Sequence, residues 1–166
     1  YVVKDDDVYR CSFEFLGTGG QRRDGLALYQ AAKPELDELQ DETGEHTNVT
    51  VQERGYSVQL YKSESPHSID DDASLGDHFY LHLTATGKAI LAAFSDERVA
   101  AVLDRRGMPA LTDDTITDRE VLYEELETIR DRGYSINNGE HFPGVCAIGT
   151  AIFSEPDDAI GAISIS

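Results

Sequence analysis

YLHLTATGKAILAAF, residues 80–94, decides how this chain is read. A Gly-Lys pair stands near the start of an apolar run of helical character, where a phosphate-binding loop would place it. Such a loop requires Gly-x-x-x-x-Gly-Lys followed by Ser or Thr, whose hydroxyl reaches a magnesium ion. Here His82 stands where the first glycine should be, and Ala89 follows Lys88. Both requirements fail, and a nucleotide site is excluded. What remains is a helix start whose first N–H groups lack intrahelical acceptors and carry partial positive charge, a place suited to an anion.

Outward from this helix the chain alternates between strand-like and helix-like stretches. Residues 1–10 read as a short hairpin turning at Asp5-Asp6-Asp7. A short helix in CSFEFLG leads to TGGQRRDG, a polar break expected to be a linker. Residues 25–43 carry Leu26, Tyr29, Ala32, Leu36 and Leu39 at helical spacing, with Gly44 as a stop. Pro34 inside that pattern predicts a kink or two helices meeting. HTNVTVQE and YSVQLYKS alternate around Arg54-Gly55, the layout of an antiparallel hairpin. Residues 63–78 show no periodicity and read as a long acidic loop. Ser95 can cap a helix over DERVAAVLDRR that stops at Gly107. Thr117-Asp118-Arg119-Glu120 reads as a capping box with Thr117 as the cap, opening a helix that Gly133 ends. YSINN, CAIGTAIFS and AIGAISIS read as strands, the last two joined by a turn around Glu155-Pro156-Asp157-Asp158. This order predicts an α+β domain with a largely antiparallel sheet flanked by helices.

Composition bounds the function classes. With 166 residues the chain can bury a core of its own. It shows neither a run of about 18 apolar residues nor an apolar leader. Cys11 and Cys146 lie far apart without a Cys-x-x-Cys pair, which fits a reducing cytoplasm better than a disulfide scaffold. A net charge of −18, with four lysines and acids spread along the chain, predicts an acidic folded surface from a salt-rich cytoplasm. The same charge argues against nucleic-acid binding through the broad surface. Arg22-Arg23 and Arg105-Arg106, the only adjacent basic pairs, read as solvated surface.

No catalytic set is legible. There is no Gly-x-Ser-x-Gly elbow. His46, His67, His78, His82 and His141 stand in no zinc-ligand spacing, and Phe79-Tyr80-Leu81 between His78 and His82 favours a strand. What stands out is a set of small polar residues beside apolar strands. Ser164 and Ser166 alternate with Ile163 and Ile165 and so share one face. Asn137 and Asn138 end a strand, and Thr84 and Thr86 flank the GKAILAAF helix. Singly these are ordinary: a threonine cap, a turn-forming Asn, edge-strand hydroxyls. Together they would offer hydroxyls, an amide and helix N–H groups, an inventory for binding.

LHLTATGKAILAAF, LTDDTITDREVLYEELETIRDRGYSINNGEHFPGVCAIGTAIF and GAISIS, in this order, resemble the effector-binding domain of IclR-type transcriptional regulators. The resemblance covers residues 25–166. It implies a GAF-like fold and a homodimer or homotetramer. It also implies DNA binding through a winged helix-turn-helix preceding Tyr1, controlled by a small organic acid or aromatic compound. Residues 1–24 resemble the remnant of that domain's wing strand and the linker helix. No cofactor, metal or membrane is implied. Carried over by position, the family's helix-start amides fall on Ala85 and Thr86, beside Thr84, and its terminal-strand hydroxyls on Ser164 and Ser166. An acidic position of some members falls on Asn137, and one often held by Cys on Ala147, with Cys146 its neighbour. Val145 and Phe79 fall on apolar wall positions. Two other readings stay open: a GAF-like dimerisation module with a vestigial pocket, and an enzyme using Cys146.

Overall fold

Arg54 and Gly55 both take positive φ, 53° and 87°. That backbone twist lets β3 (Thr47–Glu53) turn straight back onto β4 (Tyr56–Ser63). The computed structural model describes residues 1–65, 73–155 and 158–166. Much of the acidic stretch expected at 63–78, His67 included, and the middle of the turn expected at 155–158 lie outside the described residues.

β1 (Val2–Asp5) and β2 (Val8–Cys11) form a separate antiparallel hairpin. The other strands, β5 (His78–Tyr80), β6 (Ser135–Asn138), β7 (Cys146–Glu155) and β8 (Asp158–Ile165), join β3 and β4 in one sheet. Its order is β5-β4-β3-β8-β7-β6, and every neighbour is antiparallel. β8 is therefore central, and Ser164 is not an edge-strand hydroxyl.

Alternation along the strands gives the sheet two faces. On one, Val49 and Ile163 pack under Leu28, Ala32 and Leu36 of α2 (Ala27–Thr43). On the other, Ala162 meets a core built by α3 (Ala85–Ala92), α4 (Asp96–Arg106) and α5 (Arg119–Arg132). Every residue of α3 is buried, and its apolar composition all round is that of a core helix. Gly87 makes this possible: a Cβ there would stand 2.2 Å from the Leu81 carbonyl oxygen.

The structure revises five local expectations. TGGQRRD is helix: α1 runs unbroken over Glu14–Asp24, since glycine weakens a helix but keeps the N–H that proline lacks. Of the two outcomes read at Pro34, two helices meeting there is set aside, because α2 runs through it as one helix. The proline is exposed, as is Gln30, so water can serve the carbonyl that Pro34 cannot. The cap of α5 is Asp118, not Thr117. Its carboxylate accepts from the amides of Glu120 and Val121 at 2.8 and 3.2 Å, where its charge also suits the positive helix end. The strand read through Leu81 stops at Tyr80, and Leu81–Leu83 form a 3-10 turn that feeds α3. Ser164 on β8, as noted, sits mid-sheet, while Ser166 follows the strand and pairs with His46 alone among the described residues.

His82, in that turn, is buried, with Nε2 3.1 Å from the carbonyl oxygen of Pro109. A carbonyl only accepts, so Nε2 carries the hydrogen. Burial, aided by the nearby Lys88 charge, holds the imidazole below its usual 6.5. The unfolded chain then binds the proton more readily than the folded one. Stability from neutral His82 is complete above about pH 6.5 and is lost as pH falls toward the depressed folded value, at up to ~1.4 kcal/mol per pH unit. Replacing His82 by Asn should flatten the fall in melting temperature between about pH 6.5 and 5 relative to the parent chain. Parallel acid slopes in the two proteins would refute the assignment.

Candidate functional site

The first turn of α3 is held from behind. Asn137 donates through Nδ2 to the Leu83 carbonyl, and the Ser135 hydroxyl lies 2.5 Å from the Ala85 carbonyl oxygen. Glycine at 149 brings β7 against the same peptide: a Cβ there would sit 2.9 Å from Ala85 C and 3.1 Å from Thr86 N. Thr84 caps the helix, its hydroxyl accepting from Gly87 N at 3.0 Å. Lys88 N bonds the Thr84 carbonyl at 2.9 Å. The amides of Ala85 and Thr86 are the two left over at this helix start.

Both residues line a cavity between α3 and the sheet. All nine residues placed by sequence position are on its wall: Phe79, Thr84, Ala85, Thr86, Asn137, Val145, Ala147, Ser164 and Ser166. β3 and β4 add Asn48, Thr50 and Gln59, and the β6–β7 loop adds His141 and Phe142. The sequence reading missed this second group. Period-two alternation put Asn48 and Thr50 on one face of β3, but the pairing of β3 with β8 that turns that face toward Ser164 is not local information.

The register explains the mixture of groups. Asn48 pairs with Ser164 and Thr50 with Ala162, so their side chains share the α3 side of the sheet. Ser164 Oγ donates to Asn48 Oδ1 at 3.1 Å. Asn137 pairs with Ala147, while Asn138 pairs with Cys146 on the opposite face. There the exposed Cys146 donates through Sγ to Asn138 Oδ1 at 3.0 Å, away from the cavity. The wall is closed by edge-to-face rings, Phe79 on His141 at 5.1 Å and His141 on Phe142 at 4.3 Å. The cavity, half open to solvent, holds about 70 Å³, room for a compact solute rather than the ~300–1,000 Å³ of a drug-sized site.

The lysine of the Gly-Lys pair does not enter this cavity. Fully buried, Lys88 points to Glu140, Nζ to Oε1 at 2.6 Å, with Glu125 at 3.9 Å. Glu140 sits in the loop that carries His141. Thr115 Oγ1 holds the Glu140 carbonyl at 2.7 Å and Thr112 Oγ1 the Gly139 carbonyl at 2.8 Å. The cavity roof is thus pinned from outside by an ion pair and two hydroxyls.

A larger concavity of about 740 Å³ lies beside Phe94, Arg98, Arg130 and Phe153. Its most buried cation is already spent: Arg130 donates to the Ala92 and Phe94 carbonyls and to Asp96 and Glu127. Among the described residues no group of three or more His, Cys, Asp or Glu could hold a metal ion. No helix among them is long and apolar enough to cross a membrane.

Residues 22–166 match the family described as bacterial transcriptional regulator IclR, C-terminal. The transcriptional repressor IclR of Escherichia coli is 33% identical over 148 residues, covering 88% of this chain and 53% of the repressor. The chain thus spans about half the length of the curated relatives it matches. The crystal structure of Thermotoga maritima IclR superposes with a TM-score of 0.87 at 28% identity, covering 99% of this chain and 67% of that one. A double mutant of the PobR inducer-binding domain from Acinetobacter, in complex with 3-hydroxybenzoic acid, superposes at 0.72 with 26% identity, covering 82% and 80%.

Breaking the buried ion pair from one side should be costly. Lys88→Met leaves Glu140 charged and unpaired and should lower unfolding free energy by roughly 3–5 kcal/mol. Adding Glu140→Leu should return most of the loss. Urea unfolding of the single and double variants reads both numbers; additive losses would show that the two side chains do not depend on each other.

Proposed function

The chain belongs to the IclR family of transcriptional regulators, and on that footing we propose that it is the small-molecule sensing domain of such a regulator, binding an organic acid in the cavity at the start of α3. The observation that carries the reading is the pair of helix-start amides at Ala85 and Thr86, without an acceptor among the described residues. Both residues line a half-open cavity otherwise walled by hydroxyls, amides, aromatic rings and small apolar side chains. A carboxylate there gains charge-assisted hydrogen bonds and the favourable end of the helix dipole. None of the cavity's described lining residues is a Lys, Arg, Asp or Glu. The complex of PobR with an aromatic acid supports the same ligand class in a relative.

In the whole regulator, ligand occupancy would bias a conformational equilibrium read by a winged helix-turn-helix. That requires unequal affinity for the two states. Residues 1–24, the hairpin and α1, are the proposed remnant of the wing and linker, and 25–166 the sensing domain. α1 buries none of its residues, and Tyr1, Val2, Val8, Tyr9, Phe13 and Leu16 are all exposed. That distribution suits a segment whose partners lie outside this domain, in the DNA-binding part or in a second subunit of a homodimer or homotetramer. The charge of −18 suits a salt-rich cytoplasm. A vestigial cavity is the second reading, favoured by its 70 Å³.

Thermal-shift titration with a panel of aliphatic and aromatic monocarboxylic acids in molar KCl separates the two. The sensing reading expects at least one acid to raise the melting temperature with dose, by RT ln(1 + [L]/Kd) at saturation. It also expects Ser164→Ala to weaken that acid by roughly 0.5–1.5 kcal/mol. A flat response across the panel leaves the vestigial reading standing.

A further inference from the structure

Two buried hydroxyls of the sheet, Thr50 Oγ1 and Ser57 Oγ, have no hydrogen-bond partner among the described residues, and of the two it is Thr50 that lines the cavity. Thr50 is 1% exposed. Buried hydroxyls are normally paired. Thr47, three residues earlier in the same strand and also fully buried, donates to the Leu36 carbonyl at 2.7 Å. We infer that Thr50 is a ligand contact, and that the ligand is a monocarboxylic acid bearing a second, uncharged oxygen such as a hydroxyl. The inference rests on the sensing role proposed above and adds the residue and the chemistry at the far end of the cavity.

Thr50 is positioned for this by the backbone. The β3–β4 register shifts opposite Val49 and Thr50 because β4 carries an extra residue, Leu60. The β3–β8 register runs unbroken, so Thr50 keeps the face it shares with Asn48. Opposite, Gly161 lets β8 close on the same residue: a Cβ at 161 would stand 2.5 Å from the Thr50 carbonyl oxygen. The backbone of Thr50 is clamped there between β4 and β8. Thr50 is on the cavity wall, paired across the sheet with Ala162 on one side and Gln59 on the other.

Its surroundings set the charge of what it meets. The groups from β3, β4 and β8 on this wall are Asn48, Thr50, Gln59, Ser164 and Ser166, all neutral. The Ser164 hydrogen is committed to Asn48, whereas the Thr50 hydroxyl, the buried unpartnered one on this wall, has both donor and acceptor to give. Only the Ala85–Thr86 end presents leftover helix amides. A dicarboxylate would need two such ends, while a hydroxy acid needs one charged end and one neutral partner.

Isothermal titration of hydroxy acids against their deoxy counterparts tests this: glycolate with acetate, 3-hydroxypropionate with propionate, and 3-hydroxybenzoate with benzoate, with malonate and succinate as dicarboxylates. The parent chain should prefer the hydroxy member of the pair it binds by about tenfold. Thr50→Val should erase that preference, leave the deoxy acid unchanged, and melt no lower than the parent, because the hydroxyl has no partner to lose. Thr50→Ser should keep the preference. If acids bind but Thr50→Val retains the preference, or if hydroxy and deoxy acids or dicarboxylates bind the parent equally, the Thr50 inference fails and the sensing role stands. A Thr50→Val protein that melts several degrees lower would show a structural partner for the hydroxyl and overturn it too. Binding of none of these acids overturns the sensing role and this inference together.

Discussion

The constraint on which the site depends is the docking of one helical turn. The Leu83 and Ala85 carbonyls are taken up by Asn137 and Ser135 of β6, and glycines at 87 and 149 remove the side chains that would hold the backbones apart. With its carbonyls engaged by the sheet and its amides left over, the turn has a chemical front and back. Asn137 shows why an amide suits a position where the family resemblance would also admit an acid. An ionised carboxylate has no hydrogen to offer the Leu83 carbonyl, whereas Nδ2 does. The same substitution removes a negative charge from the wall facing an anion.

Much of this was legible in the chain itself. The Arg54-Gly55 hairpin, the strands at the C-terminal end and the caps at Ser95 and Gly133 followed from turn chemistry and periodicity. The failure of the phosphate-loop test at His82 and Ala89 pointed away from nucleotides before any fold was known. Local rules failed where two solutions cost nearly the same. Thr117 and Asp118 are both capping residues, and the carboxylate won. Thr18-Gly19-Gly20 reads as a break but keeps every N–H, so α1 continues. Asn48, Thr50 and Gln59 could not be found at all, because which strand lies beside which is set by the packing of α2 and α3 on opposite faces. The eight positions carried over from the family resemblance, with Thr84 from the helix start, do surround one cavity; the residues missed come from the β3–β4 hairpin and from the loop beside Glu140.

Lys88 illustrates how far a motif can mislead. Sequence places a cation at the mouth of an anion site, yet the side chain is drawn away to Glu140 and contributes no free charge there. Glu125 in turn is shared with Arg132 at 2.9 Å, so a chain of alternating charges runs from the α3 interior to the surface of α5. Such a pair adds little net stability over apolar residues of the same shape, but it fixes geometry strongly, since separating it exposes an unpaired buried charge. The fixed object is the loop bearing His141 and Phe142.

That arrangement bears on how a small ligand could be felt at a distance. A ligand shifts an equilibrium only by its differential affinity for the two states, and 70 Å³ leaves little slack before an occupant presses on its walls. The floor cannot yield, because β3 and β8 are clamped through Gly161 and paired on both sides. The helix turn cannot yield without breaking the bonds from Ser135 and Asn137. The β6–β7 loop is a further wall, beside Phe79 and Ala73, and it is tied through Glu140 to Lys88 in α3 and through its backbone to Thr112 and Thr115. Pressure from an occupant therefore falls on an ion pair and two hydroxyl bonds that either hold or break, a discrete element of the kind that converts a sub-ångström displacement into a change of state. An electrostatic latch on an apolar roof also gives the response a dependence on salt that a purely apolar roof lacks. Because the pair is buried, that dependence is far weaker than the screening of the acidic surface around it.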